Sequence, residues 1–160
     1  MKITYLHHSG FSVETETKVL LFDYYTEGGR KAYFDPAAYP DKAVFVFVSH
    51  AHEDHYDRRI LSWAKLPNVR YVLSFDVRTE ASFEGRVLRA EPHRTYDFDG
   101  ISIQTLRSND EGVAFLVKAD GKTIYHAGDL NWWHWNGEPD GFNADIEKSY
   151  TTEINRLKGE

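Results

Sequence analysis

The sequence has no cysteine among its 160 residues. Disulfides, thiolate zinc sites and thiol nucleophiles are excluded together, so any metal must be held by His, Asp or Glu. Long apolar runs are missing too. The opening MKITYLHHSGFSVE has none of signal-peptide length, and no segment approaches the roughly 18 apolar residues of a membrane span. A cytoplasmic protein with no membrane partner is expected. Positive charge is also scarce: 19 Lys and Arg stand against 25 Asp and Glu, a formal net of -6, which argues against a general binder of phosphate backbones. No nucleic-acid partner is expected. Glu27-Gly28-Gly29-Arg30-Lys31 lacks P-loop spacing and reads as a polar loop after a strand, of the kind that covers sites.

The residues present are those of a folded chain. With 41% hydrophobic and 15% aromatic residues a real core can form, and the length suits one domain over 1–160. Apolar stretches are short, β-branched or aromatic, and punctuated by Gly, Asp, Asn and Pro. Strands are expected at Ile3–Tyr5, Gly10–Glu14, Lys18–Asp23, Val69–Ser74, Arg86–Ala90, Arg94–Phe98, Ile101–Leu106, Val113–Ala119 and Lys122–His126. Ala43–Ser49 is an unbroken apolar run, the pattern of a strand buried on both faces. Asp99-Gly100 and Asp120-Gly121 are hairpin signals. Helices are expected over Asp57–Ala64, near Asp76–Phe83, and from about Asn143 to Leu157, where Asp145, Glu147, Lys148 and Glu153 read as a solvated face.

Three histidines fall within six residues, His50, His52 and His55, interleaved with Glu53 and Asp54, directly after the most apolar strand. Alternate residues of an extended segment share a side, so His50 and His52 can grip one ion. A turn is then required before the helix, and it can swing Asp54 and His55 toward a neighbouring position. Imidazole and carboxylate are the ligands that zinc, iron(II) and manganese accept without thiolates. Asp129 ends another strand in His126-Ala127-Gly128-Asp129, and Gly128 permits close backbone approach. Its carboxylate can bridge two ions at the roughly 3.5–4 Å spacing of two-metal hydrolases. Strand alternation turns His126 away from Asp129 and leaves it out of the ligand set.

Ser49-His50-Ala51-His52-Glu53-Asp54-His55 resembles the H-x-H-x-D-H signature of the metallo-β-lactamase superfamily, and Tyr125-His126-Ala127-Gly128-Asp129 resembles its later metal-bridging strand. The opening ITYLHHSGFSVE with LLFD is similar to the UlaG-like, L-ascorbate-6-phosphate lactonase-related branch. The resemblance spans about residues 3 to 135. It implies an α/β (α+β) fold, the αβ/βα sandwich, and hydrolysis of a small-molecule ester, lactone or phosphodiester by a metal-bound hydroxide. One or two divalent ions are implied, zinc first, then manganese or iron. His50 and His52 would bind the first metal, Asp54 and His55 the second, and Asp129 would bridge them. Asp54 can also orient the nucleophile. His8 and Asp23 would fix ligand tautomers, and His8 can equally donate a proton or touch substrate.

Two ligands of the family pattern are not visible. The loop before Val113 carries Arg107-Ser108-Asn109-Asp110-Glu111-Gly112 where a histidine is usual, so Asn109 or Asp110 is expected to substitute through oxygen, Asp110 being placed in the metal set. The closing histidine comes from a later part of the family fold than the 160 residues reach. The resemblance therefore implies a sandwich incomplete at its C-terminus, the N-terminal half plus the start of the second, with bare sheet edges that favour homo-oligomers. A truncated product, a completing partner and a reduced core are all compatible with it. The alternative to a hydrolase is a non-catalytic metal-binding or assembly module. Trp132, Trp133 and Trp135 form either an aromatic wall over the metal cleft or an apolar plug at a subunit contact.

Overall fold

The computed structural model describes residues 1–27, 33–79, 83 and 85–159. Gly28 to Lys31 of the polar loop lie outside the described residues. Six strands, β1 (Lys2–His7), β2 (Gly10–Glu14), β3 (Lys18–Phe22), β4 (Ala43–Val48), β5 (Val69–Ser74) and β6 (Val87–Ala90), form one sheet in sequence order. The first three pair antiparallel, and β3 to β6 run parallel. A second, antiparallel sheet holds β7 (Thr95–Phe98), β8 (Ile101–Arg107), β9 (Val113–Ala119) and β10 (Lys122–His126), in the order β10-β9-β8-β7.

The period-two alternation of strands sorts side chains between layers. In β4, Phe45 and Phe47 face the second sheet, where they meet Ile101, Ile103 and Phe115. Val44, Val46 and Val48 face the opposite way, onto Ile60, Tyr71 and Trp63. The unbroken apolar run of β4 is thereby explained: both its faces are buried. On the outer face of the second sheet, Leu106 and Ala114 pack with Leu130 against Tyr150, Ile154 and Leu157 of the C-terminal helical segment.

Both hairpins form with the expected turn chemistry, Asp99-Gly100 and Asp120-Gly121 having positive φ at each position. Asp120 also fastens the two sheets. Its carboxylate accepts from Thr15 Oγ1 at 2.8 Å and Thr17 N at 2.8 Å in the β2–β3 turn and from Lys18 Nζ at 3.0 Å at the start of β3.

Four expectations are corrected. Arg58–Lys65 is a 3-10 rather than an α-helix, capped by Asp57. Three residues per turn set Ile60 and Trp63 on one face, which is what docking onto β4 requires. Residues 77–79 form no helix, and 80–82 lie outside the described residues. The last helix, α1, spans Asp140–Ile154 and continues as a 3-10 turn over Asn155–Leu157. Glu153 on it is buried, not solvated: its carboxylate lies 2.9 Å from His93 Nε2 and accepts from Arg107 N at 3.0 Å, anchoring α1 to β8. No described helix is long and apolar enough to cross a membrane.

Candidate metal centre

Because β3 and β4 are parallel neighbours, their C-terminal ends open at one edge of the sheet. Asp23 follows β3 there with φ +43, and Ser49 and His50 follow β4. His55 N and Tyr56 N both donate to His52 O at 3.0 Å, closing the turn that brings His55 back toward His50. The second sheet supplies two loops at the same edge, residues 108–112 between β8 and β9, and Ala127-Gly128-Asp129 after β10. Glycine makes this convergence possible. A Cβ on Gly112 would lie 2.0 Å from Ser49 O, and one on Gly128 would lie 2.7 Å from Ser49 Cβ, while both residues hold positive φ.

Asp23 is the buried hub of the site. Its Oδ1 accepts from Ser49 N at 2.7 Å, and its Oδ2 accepts from Ser49 Oγ at 2.7 Å, His55 Nδ1 at 2.9 Å and His126 Nε2 at 2.7 Å. Burial opposes its charge, but the His126 and His55 partners outweigh burial and hold the carboxyl well below its ordinary range. Ser49 spends its one proton on Asp23, so its lone pairs face His50 Nδ1 at 2.9 Å. With Nδ1 of His50 and of His55 occupied in this way, both Nε2 atoms are left as acceptors directed into the site.

Two clusters of ligand atoms result, each with its members within 4.8 Å of one another: His50, His52, Asp110 and Asp129; and His8, Asp54 and His55. Asp129 stands between them, with Oδ1 3.2 Å from His55 Nε2 and Oδ2 3.8 Å from His50 Nε2. His50 Nε2 is fully buried and has no hydrogen-bond partner, an arrangement that costs free energy unless an electron-pair acceptor sits there. The donor set therefore fits a divalent cation. Burial and the neighbouring His55 charge push the pKa of His50 down. Burial also opposes charge on His55, yet the hydrogen bond and charge of Asp23, with Asp129 and Asp54, carry its pKa up. A cation would take the place of that proton.

All the residues singled out from the sequence, His8, His50, His52, Asp54, His55, Asp110 and Asp129, are brought to this one edge. His8 Nε2 lies 2.9 Å from Asp54 Oδ2, both side chains about half exposed. Asp110 faces His52 Nδ1 at 3.7 Å, whereas Asn109 spends its amide on the backbone of Asn131, donating at 2.7 Å and accepting at 3.1 Å. Sequence reasoning missed Glu111, whose Oε2 lies 3.5 Å from His52 Nε2. It also missed Ser49, and it set His126 aside although that ring stacks on Phe22 and completes the Asp23 hub. His126 belongs to neither ligand cluster; its Nε2 meets the same Asp23 oxygen as His55 Nδ1, a contact that strand alternation within β10 does not signal.

The profile of the Beta-lactamase superfamily domain matches residues 2–141. The chain belongs to the metallo-β-lactamase superfamily. Its sandwich of two sheets is the αβ/βα architecture of metallo-β-lactamase proteins. Among its curated relatives, a UPF0173 metal-dependent hydrolase of Pyrococcus abyssi is 30% identical over 142 residues, covering 81% of this chain and 61% of that protein. One from Geobacillus thermodenitrificans is 31% identical over 145 residues, covering 81% and 63%. The chain thus spans less than two thirds of the length of these relatives. Among solved structures, the metallo hydrolase Igni18 from Ignicoccus hospitalis superposes with TM-score 0.55 at 20% identity, over 80% of this chain and 60% of that one. CmlA, a diiron beta-hydroxylase from Streptomyces venezuelae, gives 0.57 at 17% identity, over 98% and 32%. At such identities the two structures establish the fold alone.

Proposed function

We propose that this chain carries the metal-binding half of a hydrolase related to the UlaG-like branch, acting on a small ester, lactone or phosphodiester. The observation that carries the reading is Asp129, one oxygen toward each ligand cluster, beside a buried His50 Nε2 that lacks a partner. His50, His52 and Asp110 would hold one ion with Asp129, and Asp54 and His55 a second. Zinc is the first choice for such a nitrogen and oxygen set, with manganese or iron next. Lewis acidity and activation of water near neutral pH are the chemistry that a divalent ion held by these residues would supply.

The chain's own residues do the rest. Asp23 and Ser49 lock the two imidazoles so that Nε2 points inward, which removes the reorganisation cost of assembling the site. Asp54 and His8, in contact at 2.9 Å, would take a proton from an attacking water and pass it to solvent. Titration of zinc or manganese into chelator-treated protein tests this, with His52→Ala and Asp54→Ala alongside. Stoichiometric binding weakened by either change is the expected result. Binding untouched by both overturns the site, and metal binding without turnover of any ester or phosphodiester leaves a non-catalytic module.

A further inference from the structure

Past Asp129 the chain does something the metal centre does not use. Trp132 and Trp135 are 50% and 53% exposed, although burying a large apolar side chain stabilises a fold. They are not loose. Trp132 N donates to Asn131 Oδ1 at 2.9 Å, and Trp135 is clamped by Asn143, which accepts from its N at 2.9 Å and donates to its O at 3.1 Å. One face of Trp135 stacks on Trp133 at 5.9 Å between centroids, and Trp132 leans on Tyr150 at 6.0 Å. The two indoles are thus held ready, each with ring surface open to solvent.

They line a groove of about 430 Å³ whose other walls include His134, Asn136, Glu138 and Glu147, none of them in the ligand clusters. No Lys or Arg lines it. Neither the Glu138 nor the Glu147 carboxylate has a cation partner among the described residues. Two carboxylates without counter-ions repel an anionic or phosphorylated ligand and attract a positive one. Indole faces add a second, independent attraction for the same charge, since the ring quadrupole presents negative potential to a cation.

We propose that this groove binds an organic cation, an alkylated ammonium group held between the faces of Trp132 and Trp135 and the carboxylates of Glu138 and Glu147. The inference does not depend on the hydrolase reading, because none of these four side chains is a candidate metal ligand. Quaternary ammonium is the favoured form: it is weakly hydrated, spreads its charge over methyl groups that pack on an indole, and needs no hydrogen-bond acceptor.

The test uses the 160-residue chain, with and without added zinc, titrated with choline and with 3,3-dimethyl-1-butanol, its uncharged carbon isostere. Calorimetry and tryptophan fluorescence report binding. Saturable choline binding, at least about tenfold tighter than the isostere and indifferent to zinc, is expected. Glu147→Gln, an exposed position that leaves folding intact, should weaken choline at least about threefold, and Trp135→Ala more. If Trp135→Ala fails to fold, the double change Glu138→Gln with Glu147→Gln decides the matter. Equal affinity for the isostere would make the groove merely apolar and overturn the proposal. So would saturable binding of methyl glucoside with none of choline, loss of the signal on dilution through dissociation of a second copy, or choline affinity unmoved by the Glu changes.

Discussion

Oδ2 of Asp23 lies 2.9 Å from Nδ1 of His55, and that one contact ties a fully buried carboxylate to a ligand-type imidazole whose other nitrogen faces Asp129. An amide cannot replace this carboxylate. With its oxygen kept toward Ser49 N, an Asn would present N–H groups to the hydroxyl and the two imidazoles that now donate to Oδ2. Asp23→Asn is therefore expected to cost about 3–5 kcal/mol of stability, the usual loss when one partner of a buried charged network is removed. Metal affinity should fall about 10–100-fold through loss of ligand orientation. Urea unfolding and metal titration measure the two effects, and undiminished affinity in a folded variant contradicts the orienting role.

Asp120 offers a pH signature away from the metal centre. The Thr17 backbone N–H and the Lys18 ammonium, with the Thr15 and Thr17 hydroxyls, hold its pKa far below the ordinary carboxylate range. A carboxyl whose folded-state pKa is depressed contributes stability that is fully present above its unfolded value, about 3.9, and is lost as pH falls toward the folded value. Unfolding free energy measured from pH 7 down to pH 3 should decline more steeply in the wild type than in Asp120→Asn. The variant should start about 1–3 kcal/mol lower at pH 7, the worth of hydrogen bonds to a charged group. Parallel pH curves would deny Asp120 its role as the fastening between the sheets.

Much of the site was legible because its residues are local in sequence. His50, His52, Asp54 and His55 follow one strand, and the apolar run of β4 announced where that strand ends. Asp129 was legible through Gly128, whose positive φ and tight fit against Ser49 match the expected close approach. What stayed hidden depends on pairing between distant segments. Nothing near Glu111 in sequence indicates His52, and nothing near His126 indicates Asp23, because those contacts exist only once the two sheets are stacked. Glu153 misled for the same reason: amphipathic spacing cannot tell a solvated carboxylate from one buried against a distant His93 and the backbone of Arg107. The 3-10 winding of Arg58–Lys65 was lost because apolar spacing over eight residues fits three or 3.6 residues per turn nearly equally well.

The placement of Asp129 between two clusters makes stoichiometry diagnostic. His52→Ala should remove one class of ions and leave the other, since His52 belongs to the first cluster alone. Asp129→Asn should weaken both classes, because each oxygen faces a different histidine. Calorimetric titration is expected to read a fall toward one equivalent for His52→Ala and at least about tenfold weaker binding overall for Asp129→Asn. A single equivalent in the unaltered chain, abolished by His52→Ala, would leave Asp54 and His55 without an ion of their own.

Gly112 tests the geometry that lets the two sheets share one site. At φ +70, with Ser49 O 2.0 Å from the position a Cβ would take, alanine meets both backbone strain and an overlap with main chain that cannot rotate away. Gly112→Ala is expected to lose about 2–4 kcal/mol, by a combination of those two penalties. The loop carrying Asp110 and Glu111 must also retreat from His50. Gly121→Ala has positive φ without the overlap, and it should cost about 1–2 kcal/mol and leave metal affinity unchanged. Equal losses for the two, read from thermal unfolding, would mean that conformational strain alone governs Gly112.

The unequal width of the sheets leaves part of an inner face bare. Sheet one ends at β1 and sheet two at β10, and Ile3 and Tyr5 on β1 are 60% and 61% exposed although their cross-strand partners, Val13 and Phe11, point to the same inner layer. Tyr5 and Phe11 touch, with ring centroids 5.3 Å apart, so the exposed atoms form one patch and not scattered residues. A patch of this kind beside a free strand edge promotes association. Self-association of the 160-residue chain is the expected consequence, measured by light scattering during size exclusion. Ile3→Lys combined with Tyr5→Lys should shift the chain to monomer, because a lysine on an edge strand opposes pairing and its charge resists burial. Both substitutions sit on exposed positions, so thermal stability at low concentration should change by less than about 1 kcal/mol. A wild type that remains monomeric at high concentration would show that the bare face is tolerated in water.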